Sequence, residues 1–186
     1  MEMPKREEYR LRPLEESDLE QLLEWRNSDR IRANMYSDHI ISMDEHRKWF
    51  ENNSNSESTI YKIFEFKSRS IGVANVIQVD MHNRKCFWAF YLGDINVPRG
   101  SGAVMEFLFL EYIFEVLQIR KLCCEVFAFN ISTIKLHKKF GFTEEGCFKQ
   151  HILKNGKYED VISMALLQDE WIINKPKIEI VCFGKS

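Results

Sequence analysis

Long apolar runs, a basic arm and paired cysteine motifs are all missing from this sequence. No apolar run approaches the roughly 20 residues that a membrane-spanning helix needs, and the start, MEMPKREEYR, lacks the apolar segment of a signal peptide. Acidic and basic residues are interspersed, with a formal net charge of −2, which gives no support to bulk binding of nucleic acid or of a membrane surface. We therefore expect a cytoplasmic protein whose partner is a small molecule.

The cysteines do not form a disulfide framework or a metal site. Their number is odd, none are spaced as CxxC, and several stand in strand-like runs. This pattern predicts reduced, buried thiols and no metal. The residues concerned are Cys86, Cys123, Cys124, Cys147 and Cys182.

The composition is that of one globular domain. The chain has 186 residues, of which 45% are hydrophobic and 14 are phenylalanine, enough for a sizeable core. Repeats and linkers are not seen. We predict a single domain over 1–186, with its core at about 9–167 and a C-terminal tail, 168–186, of unassigned role.

Apolar periodicity predicts an α/β (α+β) fold in which helices flank a sheet. The predicted helices are about 17–27, 42–50, 103–117 and 131–139. The predicted strands are 9–13, 58–66, 71–79, 85–92, 121–129, 143–153 and 157–167, with one more at 178–183. The irregular segment 28–42 is interpreted as a loop or broken helix that lines a pocket.

One glycine-rich loop precedes the most apolar helix, in the run NVPRGSGAVMEFLFLEYIFE. Gly100 and Gly102 bracket Ser101 and let a ligand approach the backbone, while the helix that follows aims free N–H groups at an anion. The order strand, loop, helix, strand puts this loop at a strand C-terminal end, where α/β folds bind ligands. The loop indicates a phosphate or pyrophosphate site, with a plain tight turn as the alternative.

The order of elements, together with PRGSGAVMEF and NISTIKLHKKFGFTEEG, resembles the GCN5-related N-acetyltransferases over residues 10–167. The resemblance implies a mixed, mostly antiparallel sheet of about seven strands. It also implies a splayed strand pair that admits the pantetheine arm of acetyl-CoA. Acetyl-CoA is then the donor substrate, and no metal is expected.

The resemblance also assigns a set of acetyl-CoA contacts. The glycine loop holds the pyrophosphate, the backbone at the end of the fourth strand supplies the oxyanion donor, and an asparagine holds the pantetheine amide. Val97 replaces the family's usual Gln or Arg, with Arg99 nearby. The implied residues are Tyr91, Leu92, Val97, Arg99, Gly100, Ser101, Gly102, Ala103, Asn130 and His137.

His137 stands where the family has a tyrosine that protonates the departing thiolate. Imidazole can donate a proton near neutral pH, so His137 is a candidate general acid, with a solvated helix histidine as the alternative. Glu125, in the fifth strand, is a candidate base. The other options for the base are a water chain and four side chains: Glu51, Asp80, His82 and His151.

The N-terminal half indicates the acceptor. The runs EWRNSDRIRANMY, ISMDEHRKWF and GKYEDVISMALL resemble the sugar N-acetyltransferases of pseudaminic acid biosynthesis, which serve flagellin glycosylation. The implied acceptor is the 4-amino group of a UDP-linked 4-amino-4,6-dideoxy-N-acetyl-altrosamine. Met35, Tyr36 and Trp88 are candidates for the nucleotide base, and Arg30 or Arg32 for the diphosphate.

Other interpretations stay open at this point. The tryptophans could belong to the core, and the arginines could be solvated. The nearest alternative acceptors are the N-terminus of a ribosomal protein and another small amine, and a different class is an inert acyl-CoA-binding domain. A homodimer is an open alternative for the assembly.

Overall fold

Strands and helices follow one another in the predicted order up to residue 167. The structure, a computed structural model, describes residues 3–54 and 56–184, so the extreme ends of the predicted domain and tail lie outside the described residues. The strands are β1 (Tyr9–Pro13), β2 (Ile60–Phe66), β3 (Arg69–Asp80), β4 (Lys85–Leu92), β5 (Lys121–Phe127), β6 (Thr143–Lys154) and β7 (Lys157–Leu167). The helices are α1 (Leu19–Asn27), α2 (Asp29–Arg32), α3 (Met43–Ser54), α4 (Ser101–Glu111), α5 (Ile131–Lys139) and α6 (Gln168–Phe183).

The strands form one seven-stranded sheet in the order β1-β2-β3-β4-β5-β7-β6. Every neighbouring pair is antiparallel except β4 and β5. Those two strands pair in parallel only from Lys85–Lys121 to Phe87–Cys123. Beyond that point β4 continues to Leu92 and β5 to Phe127 without pairing to each other. The predicted fold class, including the splayed strand pair, is confirmed.

Helix α4 forms the centre of the core. Phe107, Phe109 and Leu110 are fully buried, and the π-helical segment Tyr112–Val116 carries the apolar surface on through Phe114. Burial of such a side chain contributes about 1.5–3 kcal/mol relative to exposure. The predicted helix at 103–117 is confirmed as a buried element that fixes the position of the glycine loop in front of it.

The C-terminal tail is helical, so the predicted strand at 178–183 is wrong. Trp171, Ile178 and Cys182 recur at helical spacing and are buried against the core, with the Trp171 ring 5.5 Å from that of Phe107. The short apolar run fits either period, and packing against α4 decides for the helix. In the described part of the chain no helix is long and apolar enough to cross a membrane.

Four of the cysteines are buried, as predicted, and Cys147 is not. Cys147 lies on β6, which is an edge strand of the sheet. Both faces of this strand are exposed over most of its length. An apolar residue in a strand-like run is therefore not necessarily buried in this fold.

Lys154 joins the last hairpin to the irregular segment after α1. Its Nζ donates hydrogen bonds to the carbonyl oxygens of Arg32 at 3.1 Å and Met35 at 2.8 Å, and the residue is only 5% exposed. The hairpin itself turns at Asn155 and Gly156, whose φ angles of 49° and 76° are those of the type I′ turn indicated by Asn-Gly. The turn thus presents a buried ammonium group to the segment that follows α2.

We expect Lys154→Met to loosen residues 32–36 while the sheet stays folded. Hydrogen bonds to a charged donor contribute about 1.5–3 kcal/mol each, and the freed carbonyls would turn to water. Hydrogen exchange of residues 32–36 should become at least tenfold faster. The exposed Lys157→Met is the matched control, and equal exchange in the two variants would refute the role of Lys154.

Candidate active site

The splay between β4 and β5 opens a cleft of about 460 Å³. Its walls come from the ends of β4 and β5, the first turn of α4, the exposed start of α5 and the segment after α2. These elements are distant in sequence and meet here because the two central strands stop pairing. The residues that border the cleft include Leu92, Gly102, Glu125, Asn130 and His137.

The glycine loop lies at one end of the cleft. Gly100 has a φ of +91°, a left-handed conformation that favours glycine, and it caps α4. A Cβ on Gly102 would meet only the Leu92 side chain, at 3.8 Å, so the protein's own packing does not require a glycine there. The space in front of Gly102 fits a group that comes close to the backbone.

The first turn of α4 leaves N–H groups aimed out of the helix. The Ser101 N–H donates to the Pro98 carbonyl, and the Ser101 hydroxyl donates to the same oxygen at 2.7 Å. The Val104 N–H begins the helical ladder by donating to Gly100. The N–H groups of Gly102 and Ala103 have no carbonyl within the helix to bind, as at any helix start. Backbone donors and the helix dipole thus point toward an anion.

The other loop residues have different surroundings. Val97 is partly buried and packs against the main core, whereas Arg99 is exposed. Ser101 is 1% exposed and forms part of the turn. The side chains of Val97 and Ser101 therefore serve the loop's packing.

Asn130 begins α5 and lies on the cleft wall. Its Oδ1 accepts a hydrogen bond from the Thr133 N–H at 3.3 Å and so caps the start of the helix. Its Nδ2 donates to the Oδ1 of Asn34 at 3.0 Å. Asn130 thereby connects the α5 side of the cleft with the segment after α2.

His137 is buried beneath the cleft and only 3% exposed, so the alternative of a solvated helix histidine is wrong. Its Nδ1 lies 2.8 Å from Oε1 of Glu106, a glutamate of α4 that is fully buried. Burial lowers the pKa of His137, but the charge and the hydrogen bond of Glu106, together with the contact to Cys124, outweigh burial and raise that pKa to about 10. Burial also raises the pKa of Glu106. At neutral pH the pair therefore keeps a proton.

Glu125 and Tyr36 face each other across the mouth of the cleft. The Tyr36 hydroxyl donates a hydrogen bond to the Glu125 carboxylate, and burial together with that carboxylate raises the pKa of Tyr36. The Tyr36 ring contacts Phe127 edge-on at 5.4 Å. None of the other base candidates, Glu51, Asp80, His82 and His151, is among the described residues that line the cleft.

The side chains of the remaining acceptor candidates form contacts with other residues of the protein. Arg30 donates to the carbonyls of Leu92 at 2.9 Å and Gly93 at 2.7 Å, so its guanidinium ties α2 to the end of β4. Arg32 pairs with Asp29. Trp88 is 3% exposed and stacks on Phe142 at 5.8 Å, so it forms part of the cleft floor and not an exposed platform.

A second cavity of about 340 Å³ adjoins the cleft; we call it the aromatic cavity. Met35, Ala89, Phe90 and Tyr91 border both spaces. The aromatic cavity extends between β4 and helices α1 and α3, where Trp49 and Tyr61 meet edge-on at 4.8 Å. Its polar lining includes Arg26, Glu45 and His46.

Arg26 is the unusual group of the aromatic cavity. One nitrogen, Nη2, donates to the Ser37 hydroxyl at 2.7 Å, while Nη1 is buried and has no hydrogen-bond partner among the described residues. The Nε2 of His46 is likewise buried without a partner in that part of the chain. Burial lowers the pKa of Arg26, but a guanidinium stays charged in proteins. The cavity therefore holds a cation with unused donor capacity.

Several of these residues were not singled out from the sequence. Glu106 carried a detectable signal, because it is a carboxylate with apolar residues on both sides of it in the sequence. Arg26 and His46 carried none, since a charged residue on an amphipathic helix is ordinarily solvated. Lys154 carried none either, since a lysine beside an Asn-Gly turn is ordinarily solvated.

Comparison with known proteins agrees with this geometry. The family model described as an acetyltransferase (GNAT) domain matches residues 11–163. An uncharacterized N-acetyltransferase of the SPbeta prophage in Bacillus subtilis is 28% identical over 149 residues, which are 78% of this chain and 83% of that protein. Spermidine N(1)-acetyltransferase of Vibrio cholerae is 23% identical over 163 residues, 87% of this chain and 94% of that protein.

A solved structure of the Vibrio cholerae spermidine N-acetyltransferase, in complex with CoA and spermine, is similar in fold. It has a TM-score of 0.85 at 22% identity and covers 89% of this chain and 99% of its own. Another structure of that enzyme is dodecameric. The family match, over most of the chain, shows that this protein belongs to the GNAT acetyltransferases and is an acetyl-CoA-dependent N-acetyltransferase.

Proposed function

We propose that this enzyme acetylates the amino group of a nucleotide-linked amino sugar, with a UDP-linked 4-amino-4,6-dideoxy sugar as the candidate acceptor. The observation that carries this proposal is the aromatic cavity beside the cleft, with the buried, incompletely bonded guanidinium of Arg26 in its wall. Aromatic rings offer stacking surfaces to a base, and a guanidinium binds carbonyl or phosphate oxygens.

The donor, acetyl-CoA, lies in the splayed cleft in this proposal. The N–H groups of Gly102 and Ala103 bind the pyrophosphate, and the pantetheine arm extends between β4 and β5, beside Asn130. Because neither strand pairs with the other beyond Phe87 and Cys123, their facing edges leave room for this arm. The backbone at Tyr91 and Leu92 stabilises the thioester oxygen as it gains negative charge.

During acetyl transfer the attacking amine must lose one proton, and the leaving thiolate must gain one. The amine nitrogen attacks the thioester carbonyl carbon, so that a C–N bond forms and the C–S bond breaks. Glu125 takes the proton that the amine loses, directly or through water, from the mouth of the cleft. His137 gives a proton to the leaving sulfur from below. Both side chains border the same cleft, which lets one bound complex use both.

The charge of the aromatic cavity argues for an acceptor that is not a polycation. A buried guanidinium repels ammonium groups, and a second cation beside it needs a carboxylate partner to offset that cost. The carboxylate among the described residues that line this cavity, Glu45, already lies 2.9 Å from Nε2 of His39. A uracil carbonyl or a diphosphate oxygen would instead use the spare Nη1 donor of Arg26. Met35 and the end of β4 connect this cavity to the reacting centre.

A polyamine is the second candidate acceptor. The observations that favour it are the spermidine N-acetyltransferases among the relatives and the carboxylate of Glu125 at the mouth of the cleft. A single carboxylate can hold one ammonium group next to the thioester. The aromatic cavity would then be left out of acceptor binding.

We expect Gly102→Asp to abolish acetyl-CoA binding without unfolding the protein. A carboxylate at the start of a helix is favourable for the helix, by about 0.3–1 kcal/mol, but it repels a pyrophosphate and occupies its place. Isothermal titration with CoA and a melting curve measure the two effects. Gly102→Ala is the control for size alone and should retain more CoA affinity, and undiminished CoA affinity in Gly102→Asp would refute the pyrophosphate assignment.

Acceptor choice is tested by thiol release from acetyl-CoA with three acceptors: a UDP-linked 4-amino-4,6-dideoxy sugar, spermidine and a ribosomal-protein N-terminal peptide. We expect the sugar nucleotide to have the highest kcat/KM. Arg26→Met should then lower kcat/KM for it at least tenfold, the loss expected for a hydrogen bond to a charged group, with little change in the KM for acetyl-CoA.

Arg47→Met is the matched control, because Arg47 is an exposed arginine on α3 and does not border either cavity. Highest kcat/KM with spermidine, unaffected by Arg26→Met, would replace the proposal with the second candidate. Highest kcat/KM with the peptide would contradict both.

A further inference from the structure

We propose that Glu106 is a positioning residue for acetyl transfer, because its buried carboxylate orients the His137 ring and keeps a proton on it. This inference rests on the proposed role of His137 as the general acid. A carboxylate–imidazole pair would then do what a tyrosine hydroxyl does alone elsewhere in the family.

The two side chains are in direct contact, and both are buried. Oε1 of Glu106 lies 2.8 Å from Nδ1 of His137, and their side chains are 0% and 4% exposed. Nδ1 is thereby occupied, which leaves Nε2 for the hydrogen bond with the Cys124 side chain and, in this proposal, for a ligand that displaces Cys124. Since His137 borders the cleft, the ring connects the buried carboxylate with the space proposed for the thioester.

Packing does not explain a glutamate at this position. Neighbouring positions on α4 are apolar and fully buried, and a buried carboxylate is costly unless it is paired. Its second oxygen, Oε2, has no hydrogen-bond partner among the described residues. The contact with His137 is the one polar contact that the structure gives this carboxylate in the described part of the chain.

The imidazole ring is packed among aromatic side chains in tilted and edge-on contacts. Phe142 lies 4.9 Å, Trp88 5.4 Å and Phe90 5.9 Å from it, measured between ring centroids. These contacts limit the tilt of the imidazole, while the carboxylate fixes its rotation about the side-chain axis. The arrangement resembles the carboxylate partner of an imidazole in other acid–base sites, where the acid sets the tautomer.

The other titratable groups around the pair affect the protonation of His137 less than Glu106 does. Cys124, on β5, faces the imidazole and favours its protonated form. Cys182, on α6, faces Glu106, but burial raises the pKa of this thiol to about 12, so it is neutral. Lys138 and Lys139, beside His137 on α5, are exposed. Without Glu106, only the Cys124 contact would oppose burial, which lowers the pKa of His137.

The contacts of His137 determine how kcat should change with pH. In the wild type the acid form persists through neutral pH, so kcat should stay level between about pH 6 and pH 8. In Glu106→Gln the main influence that raises the pKa of His137 is lost and burial lowers that pKa, so kcat should fall as the pH rises, by at least about tenfold between pH 6 and pH 8. The KM for acetyl-CoA should change little.

The test has two parts. The first is a nitrogen-15 NMR titration of His137 in wild-type protein, assigned with His137→Gln, which needs neither an acceptor nor turnover. The second is the kcat profile of Glu106→Gln with the best acceptor, compared with Glu115→Gln, an exposed glutamate on the continuation of α4 whose profile should match the wild type.

A ring that stays protonated beyond pH 8 in the wild type, together with a sloping profile in Glu106→Gln, supports the inference. An imidazole that titrates between about pH 5 and pH 7 in the wild type overturns it, even if the variant fails to fold. An equal loss of kcat at every pH in Glu106→Gln also overturns it, since that indicates a purely structural role. NMR can show a protonated His137 in the wild type while kcat in His137→Gln equals that of the wild type. In that case the Glu106–His137 pair exists, but the role of His137 as the general acid is refuted.

Discussion

The short parallel contact between β4 and β5 is the interaction on which the rest of the site depends. Three residue pairs hold the strands together, and the strands then diverge because β4 continues alongside β3 while β5 continues alongside β7. Each strand keeps an antiparallel partner on its outer side, so the loss of pairing is confined to the facing edges. A cleft opens in the middle of a continuous sheet without loss of the core on either side.

Different parts of the chain form the walls where the donor and the acceptor are proposed to bind. The first turn of α4 and the start of α5 border the cleft where the donor is proposed to bind, and both follow directly from strands or turns of the sheet. The segment after α2 borders the acceptor side and has no sheet partner of its own. It is held by Arg30 on the end of β4 and by Lys154 from the last hairpin.

Much of the donor side could be predicted from the sequence, because it depends on local signals. The glycine loop, the Asn130 cap and the Asn155–Gly156 turn each follow from the chemistry of one or two residues, and the fold class follows from periodicity. The strand predicted at 178–183 was wrong because a six-residue apolar run fits two periods, and contact with Phe107 and its neighbours on α4 made it helical. Pairs such as Glu106 with His137, 31 residues apart, need the tertiary fold. The same is true of the unused donor on Arg26, whose burial depends on two helices and a strand.

The central claim is that one cleft brings the donor's sulfur to a protonated His137 while its pyrophosphate lies on the start of α4. A crystal structure of the wild-type protein with CoA tests this most directly. The account predicts the pyrophosphate oxygens on the N–H groups of Gly102 and Ala103, with the thiol sulfur within hydrogen-bonding distance of Nε2 of His137. A CoA thiol directed away from His137, or a pyrophosphate bound elsewhere, would contradict the account.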